Sequence, residues 1–272
     1  MKGDVSSQFF TALLLIAPKL ESGLEIEVVG SQVSKSYIDM TIQGMKEFGV
    51  EVENQNYEKY IVKGGQNYSP RTYKIEGDWS SASYFLALAA VYGDSFEVKN
   101  LNLESAQGDK EFLTVLKKAG VEFSQDNSSI IINKSEIKPF EINMGNMPDT
   151  AMTAAILACF AKGTSKITGL STLKVKETDR ITAMHKEFKK LGIETRIGSD
   201  FIEIDGKGRL DIVEPIVIET YHDHRIAMAF AILASLDTNI YLDNPDVVSK
   251  SFPSFWEELR KLGFELDFVE KS

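Results

Sequence analysis

The chain repeats itself about every 72 residues, which constrains it to an array of similar mixed α/β units. Gly3-Asp4-Val5-Ser6-Ser7-Gln8-Phe9-Phe10 returns as Gly77-Asp78-Trp79-Ser80-Ser81-Ala82-Ser83-Tyr84-Phe85. Looser copies start at Pro148-Asp149-Thr150-Ala151-Met152 and Asp223-His224-Arg225-Ile226-Ala227-Met228. A second landmark keeps the same period: Phe48-Gly49-Val50-Glu51, Ala119-Gly120-Val121-Glu122, Leu191-Gly192-Ile193-Glu194 and Leu262-Gly263-Phe264-Glu265. Two independent landmarks in one register define four units.

Each unit reads alike. A Ser, Thr or Asp cap precedes a helix apolar on nearly every side, over 82–91, 151–161 and 226–236, and such a helix must be enclosed by protein. A short β-branched strand follows (25–29, 95–98, 166–168, 239–242). Then comes an amphipathic helix whose apolar stripe recurs at i, i+3/i+4 and i+7, as in Ile181, Met184, Phe188 and Leu191. The landmark glycine ends that helix, and one or two alternating strands complete the unit. Apolar helices therefore pack centrally, with sheets and amphipathic helices outside. Units two to four can close one body together; unit one belongs to a neighbouring body. The loop Lys63–Pro70 is the expected flexible stretch.

Composition excludes several classes. Forty acidic against 30 basic residues, a net charge of −10, disfavours a duplex nucleic-acid partner. No run approaches the roughly 20 apolar residues of a membrane span. The start carries no signal-peptide pattern, so the expected compartment is the cytoplasm. Cys159, the lone cysteine, lies in an apolar run and reads as a core residue.

Some residues suit chemistry better than folding. Lys176 and Arg180, four apart in Lys176-Glu177-Thr178-Asp179-Arg180, are expected on one face at the start of a helix, where cations oppose the dipole. An ion-paired solvated face is the plain alternative. Arg225 opens a buried helix with the same unfavourable sign, which calls for something negative there, an anionic ligand being the economical choice. Metal binding by His222 and His224 on one strand face is the rival, though a zinc site needs further ligands. Ser6, Ser7 and Gln8, and also Ser34, Lys35, Ser36 and Tyr37, open helices as phosphate cradles or simply as caps. Asp149 is an N-cap by default and otherwise an acceptor for substrate hydroxyls. Lys250 precedes a helix with Pro253 at its first position. Neither a GxxxxGK[ST] loop nor a GxGxxG fingerprint is present.

Gly3-Asp4-Val5-Ser6-Ser7-Gln8, Ser34-Lys35-Ser36-Tyr37-Ile38-Asp39, Pro148-Asp149, Lys176-Glu177-Thr178-Asp179-Arg180, Asp223-His224-Arg225-Ile226-Ala227-Met228 and Lys250-Ser251-Phe252-Pro253 resemble, in order, motifs of the EPSP synthase (3-phosphoshikimate 1-carboxyvinyltransferase) family. The resemblance implies an α/β (α+β) fold of repeated βαβαββ units. These would form an inside-out α/β barrel of the enolpyruvyl transferase type in each of two lobes, with helix N-termini facing the cleft. It implies a partial N-terminal lobe over 1–74 and a C-terminal lobe over 75–272. The implied reaction is enolpyruvyl transfer from phosphoenolpyruvate to the 5-hydroxyl of shikimate 3-phosphate, by addition and elimination, without metal or organic cofactor.

Matched by position, Ser6, Ser7 and Ser34 would hold the shikimate phosphate, and Gln8 and Tyr37 would line that substrate. Asp149 and Lys176 would contact its hydroxyls, with Asp149 the base for the attacking oxygen. Glu177 would protonate the phosphoenolpyruvate methylene. Arg180, Arg225 and Lys250 would bind phosphoenolpyruvate, with Gln8 and His224 beside them. Thr172 departs from the longer polar residue many members carry there. Members run to roughly six units, so this chain is expected to be a C-terminal part, inactive alone and free to self-associate, whereas full-length members are monomeric. The alternatives are the UDP-N-acetylglucosamine enolpyruvyl transferases, which share the repeats, and a non-catalytic repeat scaffold.

Overall fold

The four landmark glycines adopt one conformation, and this explains their spacing. Gly49, Gly120, Gly192 and Gly263 have φ of +85°, +77°, +68° and +91°, left-handed values that suit a residue without Cβ. In each case the next amide bonds the carbonyl five residues back: Val50 to Met45, Val121 to Leu116, Ile193 to Phe188 and Phe264 to Leu259. That is the Schellman closure of a helix C-terminus, repeated once per unit.

The computed structural model describes residues 1–93, 95–126 and 128–267. Unit one comprises α1 (Ser7–Ile16), β1 (Leu24–Glu27), α2 (Lys35–Glu47), β2 (Glu53–Gln55) and β3 (Lys59–Val62). Unit two follows with α3 (Trp79–Tyr92), β4 (Phe96–Lys99), α4 (Phe112–Lys118), β5 (Phe123–Gln125) and β6 (Ser129–Ile132). Next come β7 (Glu141–Asn143), α5 (Ala151–Cys159), β8 (Lys162–Thr168), α6 (Arg180–Lys190), β9 (Glu194–Ile197) and β10 (Phe201–Lys207). Then β11 (Ile216–Ile218), α7 (His224–Ala234), β12 (Ile240–Leu242) and α8 (Phe255–Lys261) end the series.

The strand order repeats too: β1-β3-β2, β4-β6-β5 and β7-β8-β10-β9. Each hairpin folds back so that its second strand pairs antiparallel with the unit's first, as in Leu24↔Val62 and Phe201↔Thr168. Parallel pairs β7–β8 and β11–β12 are joined through α5 and α7, the crossover that parallel strands require. Lys2 makes the same parallel bridge to Val29 around α1. The βαβαββ pattern is thus explicit in β7-α5-β8-α6-β9-β10.

Helices α3, α5 and α7 pack on one another, and every residue of α5 is buried. Their core runs from Trp79 to Phe264 and takes in Cys159, whose thiol donates to the Ala155 carbonyl at 3.3 Å. A separate core around Phe10, Leu14, Ile38, Met45 and Tyr60 joins α1, α2 and β3. Here one expectation fails in part. Helix α1 is as apolar as its counterparts, yet Phe9 is 58% and Ile16 54% exposed, because in the described residues only α2 and a sheet cover it. The 63–70 loop is also tied down rather than free. Tyr68 donates to the Leu15 carbonyl, Lys19 donates to Asn67, and Gln66 bonds both the N–H and the carbonyl of Glu51. Among the described residues, no helix is long and apolar enough to cross a membrane.

Candidate active site

Several element starts converge on one cleft of about 440 Å³. Ser6, Ser7 and Gln8 come from the start of α1, and Ser34 and Tyr37 from that of α2. Asp149 lies in the 3-10 turn Pro148–Thr150 leading into α5. Lys176, Glu177 and Arg180 lead into α6, His224 and Arg225 open α7, and Lys250 ends the 3-10 turn Pro245–Lys250 before α8. All twelve candidate residues line this cleft. The matching serines of unit two do not. Ser80 and Ser81 donate their hydroxyls to Asp78, the N-cap of α3, and so brace that cap instead.

Four local expectations need correction. Helix α6 begins at Arg180 with Asp179 as N-cap, so Lys176 lies outside it in extended conformation and shares no helix face with Arg180. Both still reach Asp149 Oδ1, at 3.7 and 3.4 Å. Asp149 does not cap α5; Thr150 holds the cap position, and the Asp149 carboxylate turns to the cations. Pro253 precedes Ser254, the N-cap of α8, rather than entering the helix. His222 is exposed in left-handed conformation and His224 begins a helix, so the two form no shared strand face. Among the described residues, no group of three or more His, Cys, Asp or Glu is placed to hold a metal ion.

The charge that Arg225 and Arg180 call for is supplied by the chain itself. Buried Asp223 caps α7 by accepting the Arg225 N–H at 2.8 Å and also accepts Arg180 Nε at 2.8 Å. Arg180, 1% exposed, donates further to Glu177 at 2.8 Å, and Arg225 donates to Asp149 Oδ2 at 2.9 Å. Lys250 pairs with the other oxygen of Glu177. Four cations thus face three carboxylates, a nearly balanced network rather than a bare positive trap. Such charge-assisted bonds fix side-chain direction as well as charge.

Protonation follows from this network. Burial alone would raise Asp149, but Arg225, Lys176 and Arg180 together hold it below its ordinary value. Burial likewise opposes ionisation of Glu177, yet Lys250, a backbone N–H and Arg180 pull it down to about 2. His224 is lowered by burial and by Arg225, so it is neutral at pH 7; its Nδ1 is buried and unpaired among the described residues. Thr172 is buried at the cleft with its hydroxyl likewise unpartnered.

Sequence reasoning missed four contributors. Phe9 and Val175 add apolar wall. Asp109 accepts a hydrogen bond from the Tyr37 hydroxyl at 3.1 Å. Tyr84 on α3 lies within 3.5 Å of Arg225 Nη1. An aromatic near the start of an inner helix was a visible signal for Tyr84; for Asp109 nothing local gave notice.

Comparison with known proteins agrees with this architecture. A sequence profile of EPSP synthase (3-phosphoshikimate 1-carboxyvinyltransferase) matches residues 1–259. The chain is 46% identical over 261 residues to the 3-phosphoshikimate 1-carboxyvinyltransferase of Histophilus somni (strain 2336), covering 96% of this chain and 60% of that relative. With the protein of that name from Marinomonas sp. (strain MWYL1) it shares 46% identity over 258 residues, 94% of this chain and 60% of the other. Among solved structures, EPSP synthase from Acinetobacter baumannii matches with a TM-score of 0.77 at 24% identity, over 99% of this chain and 63% of that one. The enolpyruvyl transferase NikO from Streptomyces tendae matches at 0.69 and 15% identity, over 93% and 58%. These two likenesses show the fold. The chain spans about 60% of the length of the curated relatives it matches.

Proposed function

The chain belongs to the EPSP synthase family, and we propose that its cleft takes part in transferring the enolpyruvyl group of phosphoenolpyruvate to the 5-hydroxyl of shikimate 3-phosphate, with release of phosphate. Ser6, Ser7 and Ser34 hold the shikimate phosphate, with Gln8 and Tyr37 along the ring and Lys176 on its hydroxyls. Arg180, Arg225, Lys250 and His224 hold phosphoenolpyruvate, beside Gln8. The 5-hydroxyl gives its proton to Asp149 as its oxygen adds to the enol carbon and the methylene takes a proton; elimination then removes a proton from the resulting methyl group, restores the double bond and expels phosphate. A division at residue 75 into two lobes rests on the two separate cores.

The observation that carries this reading is the pairing of every cleft cation with a carboxylate. Glu177, held to about 2, has no proton to give while Lys250 and Arg180 grip it. Anionic substrate groups compete for those same cations. Once phosphoenolpyruvate takes Lys250 and Arg180, Glu177 loses its stabilising partners and its pKa rises, so that it can carry and deliver a proton. By the same exchange Asp149, relieved of Arg225 and Lys176, becomes a stronger base for the 5-hydroxyl. Substrate arrival thereby arms both carboxylates, and the cations are left to offset charge on the reacting groups.

Titration calorimetry tests this. Shikimate 3-phosphate is expected to bind the chain saturably, and Lys176→Gln to weaken it about tenfold, the range of one charge-assisted contact. Phosphoenolpyruvate is expected to bind the resulting complex and not the Arg225→Gln variant. Absence of saturable binding, or binding indifferent to both substitutions, overturns the reading.

A further inference from the structure

The loop that delivers Asp223, His224 and Arg225 to the cleft is strained. Tyr221 and His222, neither of them glycine, both lie in the left-handed region, at φ +54° and +53°. Two such residues in succession persist only where their surroundings hold them. Helix α6 does the holding at two points seven residues apart. Arg180 at its start grips Asp223, as described above. Two turns later, Glu187, fully buried, accepts the Tyr221 hydroxyl at 2.7 Å. The second Glu187 oxygen accepts Lys190 Nζ at 2.6 Å and the Glu219 N–H at 3.1 Å, so the carboxylate is clamped from three sides. The Tyr221 hydroxyl is thereby tied to a group that cannot turn away. His222, by contrast, is exposed.

We propose that Glu187 and Tyr221 are positioning residues. Their hydrogen bond holds the left-handed turn in the one shape that lets Asp223 cap α7 and aims Arg225 and His224 into the cleft. Neither side chain lines the cleft, so each acts through the backbone of 221–223. The strut also couples the two arginines: α6 carries Arg180 directly and fixes Arg225 through Tyr221. For its ligand the proposal rests on the function proposed above; for its geometry it does not.

The experiment uses the full chain and two single variants, Tyr221→Phe and Glu187→Gln. Amide hydrogen exchange is followed at Asp223, whose N–H bonds the Thr220 carbonyl, and at Arg225, whose N–H bonds Asp223. Both amides are expected to exchange about tenfold faster in either variant, with the amides of α5 unchanged, the signature of local opening. Adding His222→Gly to Tyr221→Phe relieves one of the two left-handed positions and is expected to restore part of the slow exchange. Phosphoenolpyruvate affinity, measured with shikimate 3-phosphate present, is expected to fall and recover in parallel. Unchanged exchange at 223 and 225 in a folded variant overturns the proposal. So does acceleration spread evenly over α5 and α7, or failure of His222→Gly to rescue. Should the exchange pattern hold while the parent chain binds no phosphoenolpyruvate, the strut stands and the assigned ligand falls.

Discussion

Asp109 is a carboxylic acid in a place that penalises its charge. It is 4% exposed, one oxygen accepts the Tyr37 hydroxyl, and the other has no partner among the described residues. Burial, then the nearby Asp149 carboxylate, push it up to about 7; Asp78 adds to this, while Arg225 and the Tyr37 bond oppose it. The folded-state value lies above that of an unfolded aspartate. Between about pH 4 and about pH 7 the folded protein therefore keeps a proton the unfolded chain has lost, and stability falls as pH rises through that window. Asp109→Asn removes the titration while keeping the shape. The gap in urea midpoint between wild type and variant is expected to widen in favour of wild type as pH drops from about 8 to about 5. A constant gap would show that Asp109 is ionised throughout. Glu177 and Asp149 act with the opposite sign, but their lowered values place their loss of stability below this window.

Elements pack in this fold at distances that only some residues permit. Strand β10 crosses α5 so closely that a Cβ on Gly206 would lie 2.2 Å from the Ala158 carbonyl oxygen and 2.5 Å from that of Ala161. Both are backbone atoms, one in α5 and one in the bend after it, so relief requires moving the main chain. Gly206→Ala is expected to cost about 1–3 kcal/mol or more, seen as a lower urea midpoint at unchanged slope. Gly44, within α2, has open space where its Cβ would be, so Gly44→Ala is expected to be stabilising by up to about 1 kcal/mol. The reverse order would sink this account of the packing. What the sequence discloses follows the same logic. The capping glycines and the enclosed helices were legible because each unit meets the same local demand. Lys176 was not, since four-residue spacing looks alike whether the segment is a helix or a 3-10 turn ending in extended chain. Asp109 was invisible because its environment is made by Tyr37, 72 residues away. Gly206, in an ordinary alternating strand, showed its constraint only when α5 was laid against it.

At the scale of the whole molecule, the difference between α1 and its counterparts becomes a statement about association. Helices α3, α5 and α7 enclose one another, so their apolar surfaces are removed from water on all sides. Helix α1 obeys the same pattern but buries only Ser7, Phe10 and Leu14, leaving Phe9, Leu15 and Ile16 between 45% and 58% exposed, with Val5 and Leu20 beside them. Single exposed apolar residues are ordinary; a contiguous face of them on one helix is a contact surface. The chain is therefore expected to self-associate through α1, with an average mass in sedimentation velocity that rises with protein concentration. Leu15→Gln with Ile16→Lys should return it to a single monomeric species. These two side chains lie outside the cleft, and the bond that Tyr68 makes to residue 15 uses the backbone carbonyl, so the local anchor survives the change. A parent chain that sediments as a monomer at every accessible concentration would mean that the α1 face carries no association. A variant that still self-associates would place the contact elsewhere on the surface.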